Sequence, residues 1–171
     1  MKVRKLIDEE AIAKRIQELG EEINREFLGD TVVVVCALKG ASLFAADLVR
    51  ELNFPLKLDF VEASSYGDST ESSGIVRITK DIGCNIAEQN VLLIDDIIDT
   101  GATLKYLIEY IIEKNPKKLK TCLLLDNPHR RKFDSIKPDF LGFIIPNEFV
   151  VGYGMDYQQL YRNLPYIGVF E

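Results

Sequence analysis

Three carboxylates, Asp95, Asp96 and Asp99, stand within five residues of one another, directly behind the apolar run VLLI. Negative charges this close repel each other, so their placement after a run typical of a buried strand suggests a ligand that offsets the repulsion. A vicinal diol can donate hydrogen bonds to carboxylates, and a cation can be held by them. Asp95 and Asp96 are therefore candidate ligand-binding residues, and Asp99 is left free for proton transfer.

A second candidate site follows at once and consists of Thr100, Gly101, Ala102 and Thr103. This loop precedes a predicted helix, whose free N-terminal amides attract anions, and its two hydroxyls add further donors. The glycine lets the backbone turn tightly and approach a ligand. The loop suits a phosphate monoester. Together with the neighbouring site for a diol and a cation, it fits a ribose 5-phosphate with Mg²⁺ nearby.

A plainer interpretation makes Asp99 or Thr100 the N-cap of that helix, a contact worth about 1 kcal/mol. This explains one residue and leaves Asp95 and Asp96 unexplained. Two other phosphate motifs are absent from the sequence: no G-x-x-x-x-G-K-[ST] occurs, and no G-x-G-x-x-G follows a strand. Their absence argues against a P-loop enzyme and against a dinucleotide-dependent dehydrogenase.

Alternating strands and helices are predicted to position these residues. Continuous apolar runs predict buried strands at 31–38, 90–95 and 119–126, and helical spacing predicts helices at 8–26, 41–52 and 103–115. Further strands are predicted at 56–63, 75–82, 140–145 and 149–154. This alternation is typical of a parallel sheet with right-handed crossovers, in which ligands bind at the carboxyl ends of the strands. The acidic cluster falls at one such end.

Composition narrows the class of protein. A chain of 171 residues with 47% hydrophobic residues predicts one globular domain. The formal net charge of −6 argues against non-specific nucleic-acid binding, which needs a basic surface. The N-terminus lacks the apolar stretch of a signal peptide, and no run approaches the roughly 20 apolar residues that span a bilayer. Three cysteines without metal-binding spacing favour reduced thiols. We therefore expect a cytoplasmic protein without a membrane partner.

The segment VLLIDDIIDTGATL resembles the phosphoribosyl-pyrophosphate (PRPP) motif of type I phosphoribosyltransferases, in the variant of the members that act on hypoxanthine and guanine. Four more segments are similar to that family in order and spacing: LKG (38–40), SSYG (64–67), KPDFLGFIIPNEFVVGYGMDY (137–157) and YRNLPYIGV (161–169). The resemblance covers about residues 5–170. It implies a single α/β domain with a mainly parallel twisted sheet flanked by helices. It also implies a small hood built from the N- and C-terminal segments, and a mobile lid hairpin at about 63–79.

The resemblance also implies an activity. Members of the family transfer 5-phosphoribosyl from PRPP to a purine base with Mg²⁺, here hypoxanthine or guanine, giving IMP or GMP and pyrophosphate. The expected ligands are thus PRPP, a purine base, a purine nucleotide and pyrophosphate, and the expected assembly is a homodimer or homotetramer. Some proteins with this fold and motif are instead regulators that sense PRPP and bind nucleic acid, an alternative that the negative charge disfavours.

Residue roles follow from the same resemblance. Asp99 would be the catalytic acid or base. The ribose and the 5-phosphate would be held by Asp95, Asp96, Asp99, Thr100, Gly101, Ala102 and Thr103. Asp95 and Asp96 would also be ligands of Mg²⁺. Pyrophosphate would be contacted by Lys39, Gly40, Ser65, Tyr66 and Arg162. The Leu38–Lys39 peptide bond is often cis in the family, and whether it is cis here or part of an ordinary strand-to-helix turn stays open. The purine would be contacted by Asn127, Phe149, Val150 and Asp156, with Asp156 also a ligand of Mg²⁺.

One residue departs from the family pattern. Asn127 occupies the position where the family usually has a lysine that donates to the 6-oxo group of the purine. An asparagine amide is neutral and can either donate or accept a hydrogen bond. We therefore expect weaker discrimination between purines, or weaker purine binding, and a preference for xanthine or adenine stays open.

Overall fold

A computed structural model of the chain describes residues 2–65 and 76–171. The elements in these ranges alternate between strands and helices for most of the chain. In order, they are β1 (Val3–Ile7), α1 (Glu9–Glu26), β2 (Val32–Leu38), α2 (Ser42–Glu51), β3 (Leu56–Ser65), β4 (Val76–Lys80), β5 (Asn90–Ile98), α3 (Ala102–Ile112), β6 (Lys118–Asp126), a 3-10 turn (Pro128–Arg130), β7 (Phe140–Ile144), β8 (Val150–Val151) and β9 (Ile167–Phe170).

The larger sheet has the strand order β4-β3-β2-β5-β6-β7 among the described residues. Its strands pair in parallel except for β3 and β4, which are antiparallel. The predicted α/β architecture with a mainly parallel sheet is confirmed. Strands β5 and β6 run side by side to their carboxyl ends, where Ile98 pairs with Asp126. This register places the residues that follow the two strands next to each other.

Helices cover both faces of this sheet, which explains the continuous apolar runs of its strands. Along β2, Val34 packs into the core formed with α1 and α2, whereas Val35 packs into the core formed with α3. Both side chains are fully buried. Because successive side chains of a strand point to opposite faces, a strand buried on both faces must be apolar at every position.

The smaller sheet pairs the two ends of the described chain, in the antiparallel order β1-β9-β8. The sequence pattern did not predict β1 or β9. The strand predicted at 149–154 is shortened to β8, because Gly152 and Gly154 adopt φ angles of 94° and 99° and end the extended run. A hood function for this sheet stays a prediction.

One further prediction cannot be compared with the structure, and two others can. The expected lid at about 63–79 falls largely on residues 66–75, which lie outside the described residues, so it stays a prediction. Helix α3 ends at Ile112, three residues before the predicted end. Strand β5 extends through the two carboxylates to Ile98 instead of stopping at Asp95. None of the described helices has the length and apolar character needed to cross a bilayer.

Candidate active site

The last residues of β5 carry two adjacent carboxylates. The side chain of Asp95 is buried, with 8% of the residue exposed, while Asp96 is partly buried. The Asp96 amide donates to Oδ1 of Asp95 over 2.9 Å, and the Ile97 amide donates to Oδ1 of Asp96 over 2.8 Å. Burial raises the pKa of Asp95 well above its ordinary value, and the neighbouring charge of Asp96 raises it further.

The pKa of Asp96 is also raised by burial, although hydrogen bonds and the positive charge of Arg162 oppose the rise. Two adjacent carboxylates that both resist ionisation form a site in which negative charge is costly. A ligand that brings hydrogen-bond donors or a positive charge would stabilise the ionised forms. The pair is therefore suited to a diol or a cation, as the sequence suggested.

The loop behind these carboxylates leads directly into α3. Gly101 is the N-cap, with a φ angle of 88° that favours glycine. Having no side chain, it cannot satisfy the first amides of the helix, and the Ala102 amide lies 3.3 Å from Oγ1 of Thr100. The alternative that Asp99 or Thr100 is the N-cap is wrong, because Gly101 holds that position, and Asp99 contacts Arg130 instead. The start of α3 thus presents amides and hydroxyls that suit an anion.

A cavity of about 250 Å³ opens above this loop and the end of β5. Its lining brings together most of the residues that the sequence assigned to the ribose, the 5-phosphate and part of the pyrophosphate. These are Gly40, Asp95, Asp96, Asp99, Thr100, Gly101 and Thr103. Ala102 is the one residue of the predicted phosphate loop that does not line it.

A second cavity, of about 190 Å³, adjoins the first. It is lined by all four residues assigned to the purine, namely Asn127, Phe149, Val150 and Asp156. Phe149 is 54% exposed, and its ring contacts the ring of Tyr157 edge-on, with 6.0 Å between the ring centroids. An exposed, supported aromatic ring beside a cavity is a platform on which a flat heterocycle can stack.

The two cavities share Asp96, Ile97 and Asp99. At this junction, Oδ2 of Asp99 lies 3.2 Å from Nη1 of Arg130. The other carboxylate oxygen, Oδ1, is buried and has no hydrogen-bond partner among the described residues. Since a buried polar atom is rarely left unpaired, Oδ1 is the atom most in need of a ligand donor. Asp99 can therefore reach groups in both cavities.

The segment between β2 and α2 packs closely against this junction. The Leu38–Lys39 peptide bond is cis, which answers the question that the sequence left open. A Cβ atom on Gly40 would lie 1.8 Å from Oδ2 of Asp96, and one on Gly154 would lie 2.1 Å from the carbonyl oxygen of Gly40. Because both residues are glycines, the backbone of Gly40 can pack between the Asp96 carboxylate on one side and the backbone of Gly154 on the other. The Lys39 side chain is exposed and lines neither cavity.

Asp156 and Arg162 form an ion pair at the edge of the second cavity. Oδ1 of Asp156 lies 2.8 Å from Nη2 of Arg162, and Oδ2 accepts a hydrogen bond of 2.7 Å from the Gln159 amide. Nη1 of Arg162 donates to the carbonyl oxygen of Gly154 over 2.7 Å. Arg162 itself lines neither cavity, so its predicted pyrophosphate contact stays a prediction.

Two predicted pyrophosphate residues cannot be compared fully with the structure. Ser65 is the last residue of β3, paired with Val76, and Tyr66 lies outside the described residues. Sequence reasoning also missed Arg130, the partner of Asp99. The sequence contains a signal, since two arginines follow Asn127 in NPHRR, but only the 3-10 turn shows which of them points to the carboxylate.

Comparison with known proteins agrees with this geometry. Residues 3–158 match the family described as phosphoribosyl transferase domain. The chain is 48% identical over 166 residues to the hypoxanthine-guanine phosphoribosyltransferase of Bacillus subtilis (strain 168), covering 97% of this chain and 92% of that protein. The corresponding protein of Staphylococcus aureus (strain Mu50) is 45% identical, with the same two coverages.

A solved structure extends the similarity to three dimensions. The crystal structure of a hypoxanthine-guanine phosphoribosyltransferase from Bacillus anthracis superimposes with a TM-score of 0.94 at 45% sequence identity. The superposition covers 99% of this chain and 100% of that one. With a family match over most of its length and relatives similar from end to end, the chain belongs to the phosphoribosyl transferase domain family.

Proposed function

We propose that the chain transfers the 5-phosphoribosyl group of PRPP to hypoxanthine or guanine, releasing pyrophosphate and forming IMP or GMP, in purine salvage. The observation that carries this proposal is the meeting of two cavities at Asp96 and Asp99. One cavity has donors for a phosphate and acceptors for a diol, and the other has an aromatic platform for a base. Their junction lies where a bond between sugar and base would form.

The first cavity would hold the phosphorylated sugar. The amides at the start of α3 and the hydroxyls of Thr100 and Thr103 would bind the 5-phosphate. Asp95 and Asp96 would accept hydrogen bonds from the ribose hydroxyls. The backbone at Lys39 and Gly40 lies beside Asp96 and would contact the departing pyrophosphate. Ser65, Tyr66 and Arg162 are proposed to complete that contact.

The second cavity would hold the base against Phe149, with its edge against the backbone of Val150. As the bond to pyrophosphate breaks, positive charge develops on the ribose, and the nearby carboxylates would stabilise it. A purine ring nitrogen then bonds to the ribose carbon that pyrophosphate has left. Asp99 would exchange a proton with the five-membered ring of the purine through Oδ1, its unpaired oxygen.

Mg²⁺ is the metal that the family implies, and the donor set fits it. No cluster of three or more typical metal ligands occurs within residues 2–65 and 76–171. Mg²⁺ usually takes one or two carboxylates together with substrate phosphates and water, so a full protein cage is not needed. Asp95, Asp96 and Asp156 are the residues proposed to supply those one or two carboxylates. When bound, it would offset the negative charge of the pyrophosphate.

A steady-state assay with PRPP, Mg²⁺ and each of hypoxanthine, guanine, xanthine and adenine tests the proposal. We expect nucleotide and pyrophosphate to form in equal amounts with hypoxanthine or guanine. Calorimetry with PRPP and Mg²⁺ should show heat of association. A folded protein that neither binds PRPP nor converts any purine would refute the assignment.

Other properties stay predictions of the sequence. A homodimer or homotetramer is expected and can be measured by light scattering. The chain has three free cysteines, of which Cys36 and Cys122 are buried, which is consistent with a cytoplasmic location. The alternative of a PRPP-sensing, nucleic-acid-binding regulator would require RNA or DNA binding that weakens steeply with salt.

A further inference from the structure

A buried tyrosine outside both cavities joins two segments of the candidate site. Tyr153 is only 8% exposed, and its hydroxyl donates a hydrogen bond to Oδ2 of Asp47 on α2. Burial raises the pKa of the Tyr153 phenol, and the hydrogen bond to Asp47 raises it further, so the phenol stays protonated and acts as the donor. Neither residue lines the first or the second cavity, so the pair can affect the reaction only through the segments that it connects.

The first of these segments is the turn that follows β8. Tyr153 has a φ angle of 48° and lies between Gly152 and Gly154, whose φ angles are 94° and 99°. A bulky residue rarely adopts a positive φ angle, so the contacts of Tyr153 have to hold the turn in this form. One such contact is a backbone hydrogen bond of 2.8 Å from the Tyr153 amide to the carbonyl oxygen of Leu164. The other is the side-chain bond to Asp47.

This turn touches two of the residues proposed to contact pyrophosphate. A Cβ atom on Gly154 would lie 2.1 Å from the carbonyl oxygen of Gly40, so the two backbones are in direct contact. The carbonyl oxygen of Gly154 also accepts a hydrogen bond of 2.7 Å from Nη1 of Arg162. The position of the turn therefore bears on both the Gly40 backbone and the Arg162 guanidinium.

Helix α2 carries the acceptor of the Tyr153 hydrogen bond. Asp47 lies in the middle of this helix, which begins at Ser42, two residues after Gly40. Phe44 and Leu48, on the same helix, are fully buried in the core. Because this buried face fixes α2, the hydrogen bond from Tyr153 anchors the turn to a rigid element.

In the proposed function, on which this inference rests, the Gly40 backbone and Arg162 contact the departing pyrophosphate. Misplacing such a contact by about 1 Å can lower a rate by as much as about a hundredfold. We propose that Tyr153 and Asp47 are positioning residues, whose hydrogen bond holds the turn at 152–154 and thereby keeps the pyrophosphate contacts in place. The 5-phosphate loop and the ring of Phe149 lie outside this turn, so nucleotide binding should depend on it much less.

The test is Tyr153→Phe, which removes the hydroxyl and keeps the ring. Tyr110→Phe is the matched control, because its hydroxyl also donates to an aspartate, Asp81, and Tyr110 lines neither of the two cavities. The measurements are the inhibition constants of pyrophosphate and of IMP, with the melting temperature as a readout of stability alone. We expect pyrophosphate to inhibit Tyr153→Phe about fivefold more weakly than wild type, and IMP to change by less than twofold. For Tyr110→Phe, both inhibition constants should stay within twofold of wild type.

Asp47→Ala tests the same hydrogen bond from the acceptor side. It should weaken inhibition by pyrophosphate by a similar factor, and the double variant should be no weaker than either single variant, since each substitution breaks the same bond. Arg50→Gln removes the other partner of Asp47, an exposed cation, and is the control for that contact. It should leave the inhibition constant of pyrophosphate unchanged.

Inhibition of Tyr153→Phe by pyrophosphate that stays within twofold of wild type would overturn the inference, as would an equal weakening of pyrophosphate and IMP. If Tyr153→Phe does not fold, then wild-type inhibition of Asp47→Ala by pyrophosphate would overturn it. A wild type that forms no nucleotide from hypoxanthine or guanine would instead overturn the proposed function.

Discussion

The guanidinium of Arg130 lies 3.2 Å from Oδ2 of Asp99, and this contact leaves Oδ1 as the buried carboxylate oxygen without a partner. The two oxygens thus have different surroundings. One contacts a half-exposed cation, and the other is buried, without a partner among the described residues, in a residue that lines both cavities. The ion pair therefore orients the carboxylate, and the free oxygen is the one placed to exchange a proton with a bound base.

Replacing Asp99 with asparagine should separate chemistry from binding. The amide keeps the size of the carboxylate but cannot accept a proton, so we expect kcat to fall by about 10²–10⁴-fold, the usual range for a lost acid or base. The dissociation constant of PRPP, measured by calorimetry with Mg²⁺, should change by less than about fivefold, because the 5-phosphate loop is intact. An Asp99→Asn variant with full turnover would remove Asp99 from the chemistry.

Arg130→Gln should test whether the ion pair positions Asp99. Because Arg130 is half-exposed, its contact is screened by solvent, and such pairs contribute about 0.2–1 kcal/mol. We expect a fall in kcat of up to about fivefold, diminishing as salt is raised, with little change in melting temperature. Lys132→Gln removes a nearby exposed cation that does not pair with Asp99 and serves as the control. Equal effects of both substitutions would show that only the overall charge matters.

The central strands of the larger sheet could be predicted because they are buried on both faces and therefore contain continuous apolar runs, as in β2 and the first part of β5. Strands β1 and β9 could not, since they are short and pair with each other from opposite ends of the chain. Their extended form depends on a long-range contact that leaves no local periodicity. Strand β8 shows the opposite error, since the sequence pattern predicted a longer strand than the structure contains, because two glycines end the extended run.

The site residues, like the strands, could be predicted only in part from the sequence. Residues 95–103 could be predicted because carboxylates, hydroxyls and a glycine are adjacent in sequence and act together. The neighbours that complete the junction come from other elements. Asn127 stands beside Asp99 through the register of β5 and β6, and Arg130 reaches it through a 3-10 turn. Neither relationship is encoded within a single stretch of sequence.

The burial of Asp95 should make stability depend on pH. Its pKa is raised above the ordinary 3.8, so between that value and the raised pKa the folded protein binds more protons than the unfolded chain. The free energy of unfolding contributed by Asp95 therefore falls as pH rises through this window. We expect Asp95→Asn to remove this loss and to raise the melting temperature of the ligand-free protein at pH 7 by at least about 2 °C.

The measurement is thermal unfolding of wild type and Asp95→Asn from pH 4 to pH 7, with the difference between the two proteins taken at each pH. The difference should grow with pH. Asp134→Asn, at an exposed carboxylate, should show no such growth. The same Asp95→Asn protein should bind PRPP more weakly, since it loses an ionised acceptor for the ribose. If the difference in melting temperature between the two proteins is the same at every pH, then ionisation of the buried Asp95 does not reduce stability.

Gly40→Ala should damage the site through a steric clash with a neighbouring carboxylate. The added Cβ would lie 1.8 Å from Oδ2 of Asp96, closer than any real contact, so either the backbone or the carboxylate must shift. We expect a loss of stability of about 1–3 kcal/mol, the usual cost of overpacking, and at least a tenfold fall in kcat/KM for PRPP. Gly83→Ala is the matched control, because its Cβ would meet the carboxylate of Asp59 at an ordinary 3.6 Å. If both variants retain wild-type stability and activity, then the backbone of Gly40 does not need to approach Asp96 closely for catalysis.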